Sequence, residues 1–527
     1  MKPTTPLAPL HFSFAALHRQ LEALGRWCLQ QTDPDPVLQQ ARLALDTQQV
    51  ALWDLLGPDL ADDSRRMPAL GLIQLQLGLR ACGLQLAEQG QLIRRGKLLK
   101  SLRKRLPAFF APLQHLLRRL EEGVEQSLSP EELNKALQAL APPLQSLHRL
   151  LDKRFKSGQN APFILRQYQW LWQLEALDGP LTQAIEGLMT WQLGSPQRLE
   201  AAILFKPLSD QVKGELHFEP IPHTRSGALV HEVADGEQSI IVKQGTAEKL
   251  AQEHKQLQQW ARRWPERVPE VLAFKRNRKQ AVMALTSAPG ETLEHWLLAD
   301  DESALYSGLA ALFAALDEIW QPGKKRAEPP RFMAQLRRRL PDIYRVHPEF
   351  KKGLQGIGEA NIPTLEKLIE RCERLERKFA PVLAVPIHGD LNIDNVLYDP
   401  DSDTLTLIDL NRASEGDYIQ DLAILMASFY RTPNYQRTVR RRIVNAMSRV
   451  HRFAHHVGPR LEDPAIDARL ALGLARGLIT STRFVYEPWH AQRLLELGQV
   501  LLASLARMKR KDLPRYTLDE ALFHEHP

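Results

Sequence analysis

Four residues between Pro386 and Ala423 have the types and spacing to do chemistry: His388, Asp390, Asn395 and Asp409. They read as H-x-D-x-x-x-x-N followed by a distal Asp at the end of an apolar run. Phosphoryl transfer of the kinase type uses such a set: one carboxylate to orient or deprotonate a hydroxyl, and an Asn plus a second Asp to hold magnesium. The elements that must position them are legible nearby. NVLYD (395–399) and LTLID (405–409) run apolar or alternate, and Asp399-Pro400-Asp401-Ser402-Asp403 between them supplies turn chemistry. A hairpin here returns Asp409 beside Asn395, making neighbours of two ligands distant in sequence.

These residues resemble the aminoglycoside phosphotransferase and choline kinase-like superfamily, small-molecule relatives of the protein kinases. HGDLNIDN (388–395) is similar to that family's catalytic loop. LIDLNRASEGDYIQDLA (407–423) is similar to its metal-binding Asp, followed by a Gly-Asp turn and a helix opening Asp-Leu-Ala. One departure is Leu410 after the metal Asp, where many kinase relatives have Phe followed by Gly. The resemblance implies that Asp390 is the catalytic carboxylate and that Asn395 and Asp409 hold Mg2+. It implies Asp421 as structural support of the loop. His388 reads as a brace rather than a proton carrier, because the aspartate already fills that role.

At 527 residues the chain has room for two or three domains, each with its own core. An apolar content of 44% and a charged content of 25% are ordinary for a soluble globular protein. No run of eighteen apolar residues and no basic-then-apolar leader is present, which excludes a membrane span or secretion signal from the expectation. Cys28, Cys82 and Cys372 are odd in number and far apart, as incidental thiols in a reducing cytoplasm would be.

The expected fold class is α+β: an N-terminal all-α bundle (1–200), then a kinase-like small lobe (201–290) and large lobe (291–527). In the bundle, Leu72, Leu75, Leu79 and Leu86 recur at helical spacing, with breaks expected at Asp33-Pro34-Asp35-Pro36, Gly57-Pro58, Pro107, Pro142-Pro143 and Gly194-Ser195-Pro196. Two segments, about Leu52–Gly90 and Leu151–Met189, share a helix, a polar loop and a long helix with a late acid. That pattern faintly resembles the PhoU family of phosphate-uptake regulators. Residues 91–120 hold nine Lys or Arg and no acid. This is a solvated face, or else a surface for an anionic membrane or protein partner. Nucleic acid is not expected, since no aromatics interleave with the cations.

From Phe205 onward, short strand-like runs at 215–219, 228–233 and 239–243 precede a helix rich in Glu, Gln and Lys. By the resemblance, Lys243 contacts the α- and β-phosphates of ATP, with GTP also possible, and Glu253 is its acidic partner; Glu248 competes for that role. Ser226 and Gly227 belong to the turn over the phosphates. Backbone groups from Thr286 to Ala288 meet the nucleotide base, and Gly290 permits the turn into the large lobe.

Residues 324–352 carry ten basic side chains against three acidic ones, including Arg337-Arg338-Arg339. Aminoglycosides are polycations, so the sign of this run favours a neutral or anionic small-molecule acceptor. Arg440-Arg441-Arg442 and the cluster Phe484, Tyr486 and Trp489 are candidates for the outer wall of the substrate cleft, although core packing suits the aromatics better. The function expected is a cytoplasmic Mg-nucleotide-dependent phosphotransferase with a hydroxyl acceptor. The rival is a regulatory kinase-like protein signalling through its bundle.

Overall fold

The computed structural model describes residues 7–30, 32–95, 98–156, 161–194, 199, 203, 217–220, 229–235, 238–299, 302–352, 363–434 and 436–523. Two compact units emerge: residues 1–248 with 273–284, and residues 249–272 with 285–527.

The first unit opens with helices Ala8–Gln30, Asp35–Ala61, Asp63–Arg95, Lys100–Arg103, Pro107–Glu125, Pro130–Gln138, Ala141–Lys156, Ala161–Glu175 and Asp178–Leu193. Their apolar stripes meet in one core; Phe109, Phe110, Leu113, Leu116, Leu117 and Leu120 show the three-and-four spacing that buries one helix face. Helices 63–95 and 178–193 approach backbone to backbone. A Cβ on Gly71 or Gly187 would collide with the main chain of Trp191 or Leu75, so only glycine permits that approach.

Several expected breaks move. The helix 35–61 runs through Pro58, which removes one N–H donor from its last turn, and stops at Asp62. The long helix expected after the polar loop of the second segment is interrupted at Ala176–Leu177, just before Asp178-Gly179-Pro180. The basic run 91–120 is divided among three helices, with Pro107 starting the last. Lys100, Lys104, Arg105 and Arg118 are exposed there, whereas Arg119 pairs with Glu122 at 2.6 Å.

The bundle is followed by strands β1 (His217–Pro220), β2 (Leu229–Asp235), β3 (Gln238–Thr246), β4 (Val271–Arg276) and β5 (Gln280–Thr286). They form a five-stranded sheet in the order β1-β2-β3-β5-β4. β1–β2 and β2–β3 are antiparallel, with Lys243 opposite Val230.

In the second unit, β6 (Glu291–Thr292), β8 (Val396–Asp399) and β9 (Thr404–Leu407) make a three-stranded sheet. β7 (Val385–Ile387) pairs with β10 (Ser414–Gly416). Helices Tyr418–Tyr430, Arg437–Val457, Ile466–Ser481 and Pro488–Leu505 supply the core. Every residue of helix 418–430 except Gln420 is buried, so that helix is the centre on which the loops above it are built. The fold is therefore α+β, an all-helical N-terminal region followed by a kinase-like region. Among the described residues, no helix is long and apolar enough to cross a membrane.

Candidate active site

The hairpin expected from NVLYD and LTLID is present: Val396 pairs with Leu407 and Asp399 with Thr404. One further rung follows, Ile408 N–H donating to the Asn395 carbonyl at 3.0 Å. Asn395 thus faces Ile408 across the ladder and Asp409 is the next residue along. Asp409 adopts the left-handed region (φ 62°, ψ 51°), a conformation an Asp tolerates better than most side chains do.

The loop between β7 and β8 is held from below. Asp421, fully buried on helix 418–430, accepts the backbone N–H groups of His388 at 2.7 Å and Gly389 at 2.8 Å. Burial, together with the nearby charge of Asp390, pushes its pKa up to about 7, while the two N–H groups oppose that rise. Gly389 has φ +80°, and a Cβ there would strike the carbonyl of Arg412; no other residue fits. His388 Nε2 faces the Ile408 carbonyl at 2.8 Å and so carries the proton; its Nδ1 accepts the Asp390 N–H at 3.3 Å. Both ring nitrogens are engaged, which suits a brace.

Asp390 is left with its carboxylate outward. Asn392 Nδ2 donates to Asp390 Oδ1 at 3.0 Å, and Arg412 Nη1 sits 3.0 Å from Oδ2. Asn395 Nδ2 donates to the Asp390 carbonyl at 2.8 Å, which turns its Oδ1 away as the atom a cation would meet. Asn395 and Asp409 together offer oxygen donors at one end of the β8–β9 ladder, the donor type that suits magnesium. The residues present therefore fit that ion.

Behind the loop, Asp417 caps helix 418–430 by accepting the Ile419 N–H at 3.1 Å and is paired with buried Arg469. Arg469 Nε also reaches Asp463 at 3.1 Å, and Tyr418 donates to Asp463 at 2.9 Å. This buried network fixes the start of the helix that carries Asp421. Sequence reasoning missed it, because its members are scattered and none belongs to a local motif.

Three arginines missed from sequence also lie within electrostatic reach of one another, two of them within reach of Asp390. Besides Arg412, these are Arg476, on helix 466–481, and Arg483, in the turn that follows it. The Arg476 guanidinium stacks over Phe332 at 5.3 Å and that of Arg483 over Phe484 at 4.5 Å. The Nε of each is buried without a hydrogen-bond partner. Desolvation lowers Arg476 to about 10; the charge of Asp390 opposes the shift and those of Arg412 and Arg483 add to it. His347 holds the 482–485 turn through the carbonyls of Thr482 and Val485, at 3.0 and 2.9 Å.

The basic run at 324–352 is compensated in part. Arg337 pairs with Glu373 at 2.5 Å, Arg326 with Glu462, and Arg345 with Asp342 at 3.2 Å. Arg440 and Arg442 are buried rather than lining a surface, Arg442 donating to the Leu297 carbonyl at 3.2 Å; only Arg441 is exposed, paired with Glu302 at 2.7 Å. Core packing of the aromatic cluster is overturned: Phe484, Tyr486 and Trp489 are 62%, 80% and 59% exposed.

Of the expected nucleotide contacts, Lys243 within β3 and Glu253 in helix Ala247–Arg263 are each buried, whereas the competitor Glu248 is exposed. The Thr286 N–H already donates to the Glu270 carbonyl at 3.0 Å, which leaves a base only the Thr286 carbonyl. Ala288 is half-buried, and Gly290 follows with φ +84°. Ser226 and Gly227 lie outside the described residues.

The loop and hairpin carry the residue set of a kinase-type phosphotransferase. Residues 218–456 match the model of the phosphotransferase enzyme family, so the match takes in Lys243, Glu253, Asp390, Asn395 and Asp409 and begins after the helical bundle. Similar solved structures include aminoglycoside-3'-phosphotransferase of type VIII, at 20% identity over 52% of this chain and 98% of that one, TM-score 0.35. Aminoglycoside phosphotransferase APH(3'')-Id from Streptomyces rimosus is similar at 23% identity over 49% and 97%, TM-score 0.33. Aminoglycoside phosphotransferase APH(4)-Ia is similar at 14% identity over 57% and 97%, TM-score 0.38. No curated protein matches the sequence.

Proposed function

We propose that the protein moves the γ-phosphate of a magnesium-bound nucleotide, ATP or GTP, to a hydroxyl of an anionic small molecule. The observation that carries this reading is the outward carboxylate of Asp390, on a loop whose other polar groups are bonded to one another, one hairpin from Asn395 and Asp409.

Asp390 takes the hydroxyl proton as the acceptor oxygen bonds to the γ-phosphorus, and the bond from that phosphorus to the β-phosphate oxygen breaks to release the nucleoside diphosphate. Asn392 and Asp421 keep the loop in register for that step. Asn395 and Asp409 would hold magnesium, which neutralises phosphate charge when bound. In this reading Lys243 contacts the α- and β-phosphates and Glu253 is its acidic partner; both residues are buried.

The acceptor's sign is read from Arg412, Arg476 and Arg483. The buried Nε atoms of Arg476 and Arg483 meet no acceptor, which is costly, and an acceptor carrying a phosphate or carboxylate would relieve that cost. The exposed faces of Phe484 and Tyr486 would lie against its apolar part. Polycationic aminoglycosides do not suit this charge, whatever the relatives act on.

The test is transfer of labelled γ-phosphate to the anionic and neutral fractions of a metabolite pool, with Asp390→Asn as control. Label entering an anionic alcohol with the wild type alone supports the reading. Nucleotide binding with no transfer to any fraction sinks it, in favour of a regulatory role.

A further inference from the structure

A second set of ligating groups lies outside the catalytic loop, in the C-terminal part of the chain. His451 and His455 are one turn apart on helix 437–457 and share a face. Their Nε2 atoms lie 2.9 and 2.6 Å from the same oxygen, Asp467 Oδ1. The three ligand atoms all fall within 4.8 Å of one another. Asp467 is buried in the first turn of helix 466–481, and its other oxygen accepts the Leu518 N–H at 3.0 Å. His451 turns its Nδ1 to Glu520 Oε1 at 2.6 Å, and Ser448 steadies the other Glu520 oxygen at 2.6 Å.

The geometry points to a binding site for a zinc-class divalent cation, with His451 Nε2, His455 Nε2 and Asp467 Oδ1 as ligands. Two imidazoles and a carboxylate are the donors that borderline ions such as Zn2+ select over Mg2+ or Ca2+. A histidine ligand whose second nitrogen meets a carboxylate is the usual outer arrangement of a zinc centre, and His451 with Glu520 supplies it. Asp467 is likewise oriented through its second oxygen. The ligands of a tetrahedral zinc stand ~3.3 Å apart, given bonds of ~2.0–2.1 Å. Entry therefore requires that His455, whose side chain is 51% exposed, swing back and that the His451–Asp467 pair open slightly. That exposed side leaves a fourth position open to water. Because Leu518 and Glu520 join the same cluster, the ion would staple the C-terminal segment to helices 437–457 and 466–481.

The test uses full-length protein without an affinity tag, stripped with a chelator and titrated with Co2+. One equivalent should bind with visible d–d bands of a four-coordinate ion, and Zn2+ should displace it. His455→Gln should weaken binding at least ~10-fold, and Glu520→Gln by ~10–100-fold, the usual cost of losing an outer partner. His456→Gln, at the next position and facing Asp317, should bind as the wild type does. Zn2+ should also raise the melting temperature of the wild type and not that of His455→Gln. Absence of saturable one-to-one uptake overturns the site and leaves a hydrogen-bonded clasp. Equal affinity in His455→Gln and wild type does the same. None of these readouts involves phosphate transfer, so they bear on this site alone.

Discussion

Arg412 Nη1 lies 3.0 Å from Asp390 Oδ2, so a side chain 64% exposed holds the carboxylate proposed to meet the acceptor. An exposed ion pair contributes ~0–1 kcal/mol, little enough for an incoming acceptor to displace. The pair is therefore compatible with turnover, and it presents a cation where an anionic acceptor would arrive.

Asp390→Asn should preserve the loop, since the amide can still meet Asn392, and should leave nucleotide affinity near normal. Turnover should fall ~10²–10⁴-fold, the usual scale of general-base and positioning effects. Steady-state rates alongside nucleotide titrations check this. A near-normal rate would remove Asp390 from the chemistry.

Asp409→Ala should abolish the magnesium dependence of nucleotide binding, and Asn395→Ala should reduce it less, a neutral amide being the weaker ligand. Calorimetric titrations with and without Mg2+ would separate the two. Indifference of the wild type to Mg2+ would remove the metal assignment.

Arg483→Gln and Arg476→Gln should raise KM for an anionic acceptor, with smaller effects on nucleotide affinity. Two unit charges ~7 Å apart at an effective dielectric of ~20 interact by roughly 2 kcal/mol, enough for more than a tenfold change. Added salt should shrink the effect at Arg483 more than at deeply desolvated Arg476. Kanamycin-like polycations should be phosphorylated negligibly. Efficient phosphorylation of kanamycin by the wild type would reverse the charge assignment.

Asp421 links pH to stability. Its ordinary value is 3.8, and burial raises it to about 7 in the native state. Between those values the native chain holds a proton that the unfolded chain has lost. This group's contribution is thus full below pH 3.8 and declines as pH rises through about 7. Asp421→Asn should flatten that part of the profile, measured by denaturant unfolding from pH 4 to pH 8. An unchanged slope would show that Asp421 is ionised throughout.

Gly187→Val tests the bundle without touching the site. The new side chain would meet the Leu75 backbone, which cannot move independently of its helix. Overpacking of this kind costs ~1–3 kcal/mol. Thermal unfolding should shift down, and a variant as stable as the wild type would mean that helices 63–95 and 178–193 can separate cheaply.

By itself the sequence determined the parts whose physics is local. The H-x-D-x-x-x-x-N spacing, the hairpin that returns Asp409 to Asn395, the strand order β1 to β3 and the helical periodicity of the first two hundred residues all arise from neighbours along the chain. Only the tertiary structure decided which charges are compensated. Arg337 and Arg326 read as free cations until Glu373 and Glu462 arrive from other elements to pair with them. Arg476 carries no local signal at all, and its place within reach of the Asp390 charge comes from helix 466–481 packing on Phe332. Phe484, Tyr486 and Trp489 looked like core by composition, yet their turn leaves them in solvent. Asp467 meets His451 and His455 across a helix–helix contact, for the same reason. Backbone preference and periodicity act over a few residues, whereas burial and charge pairing depend on which elements fold back on one another.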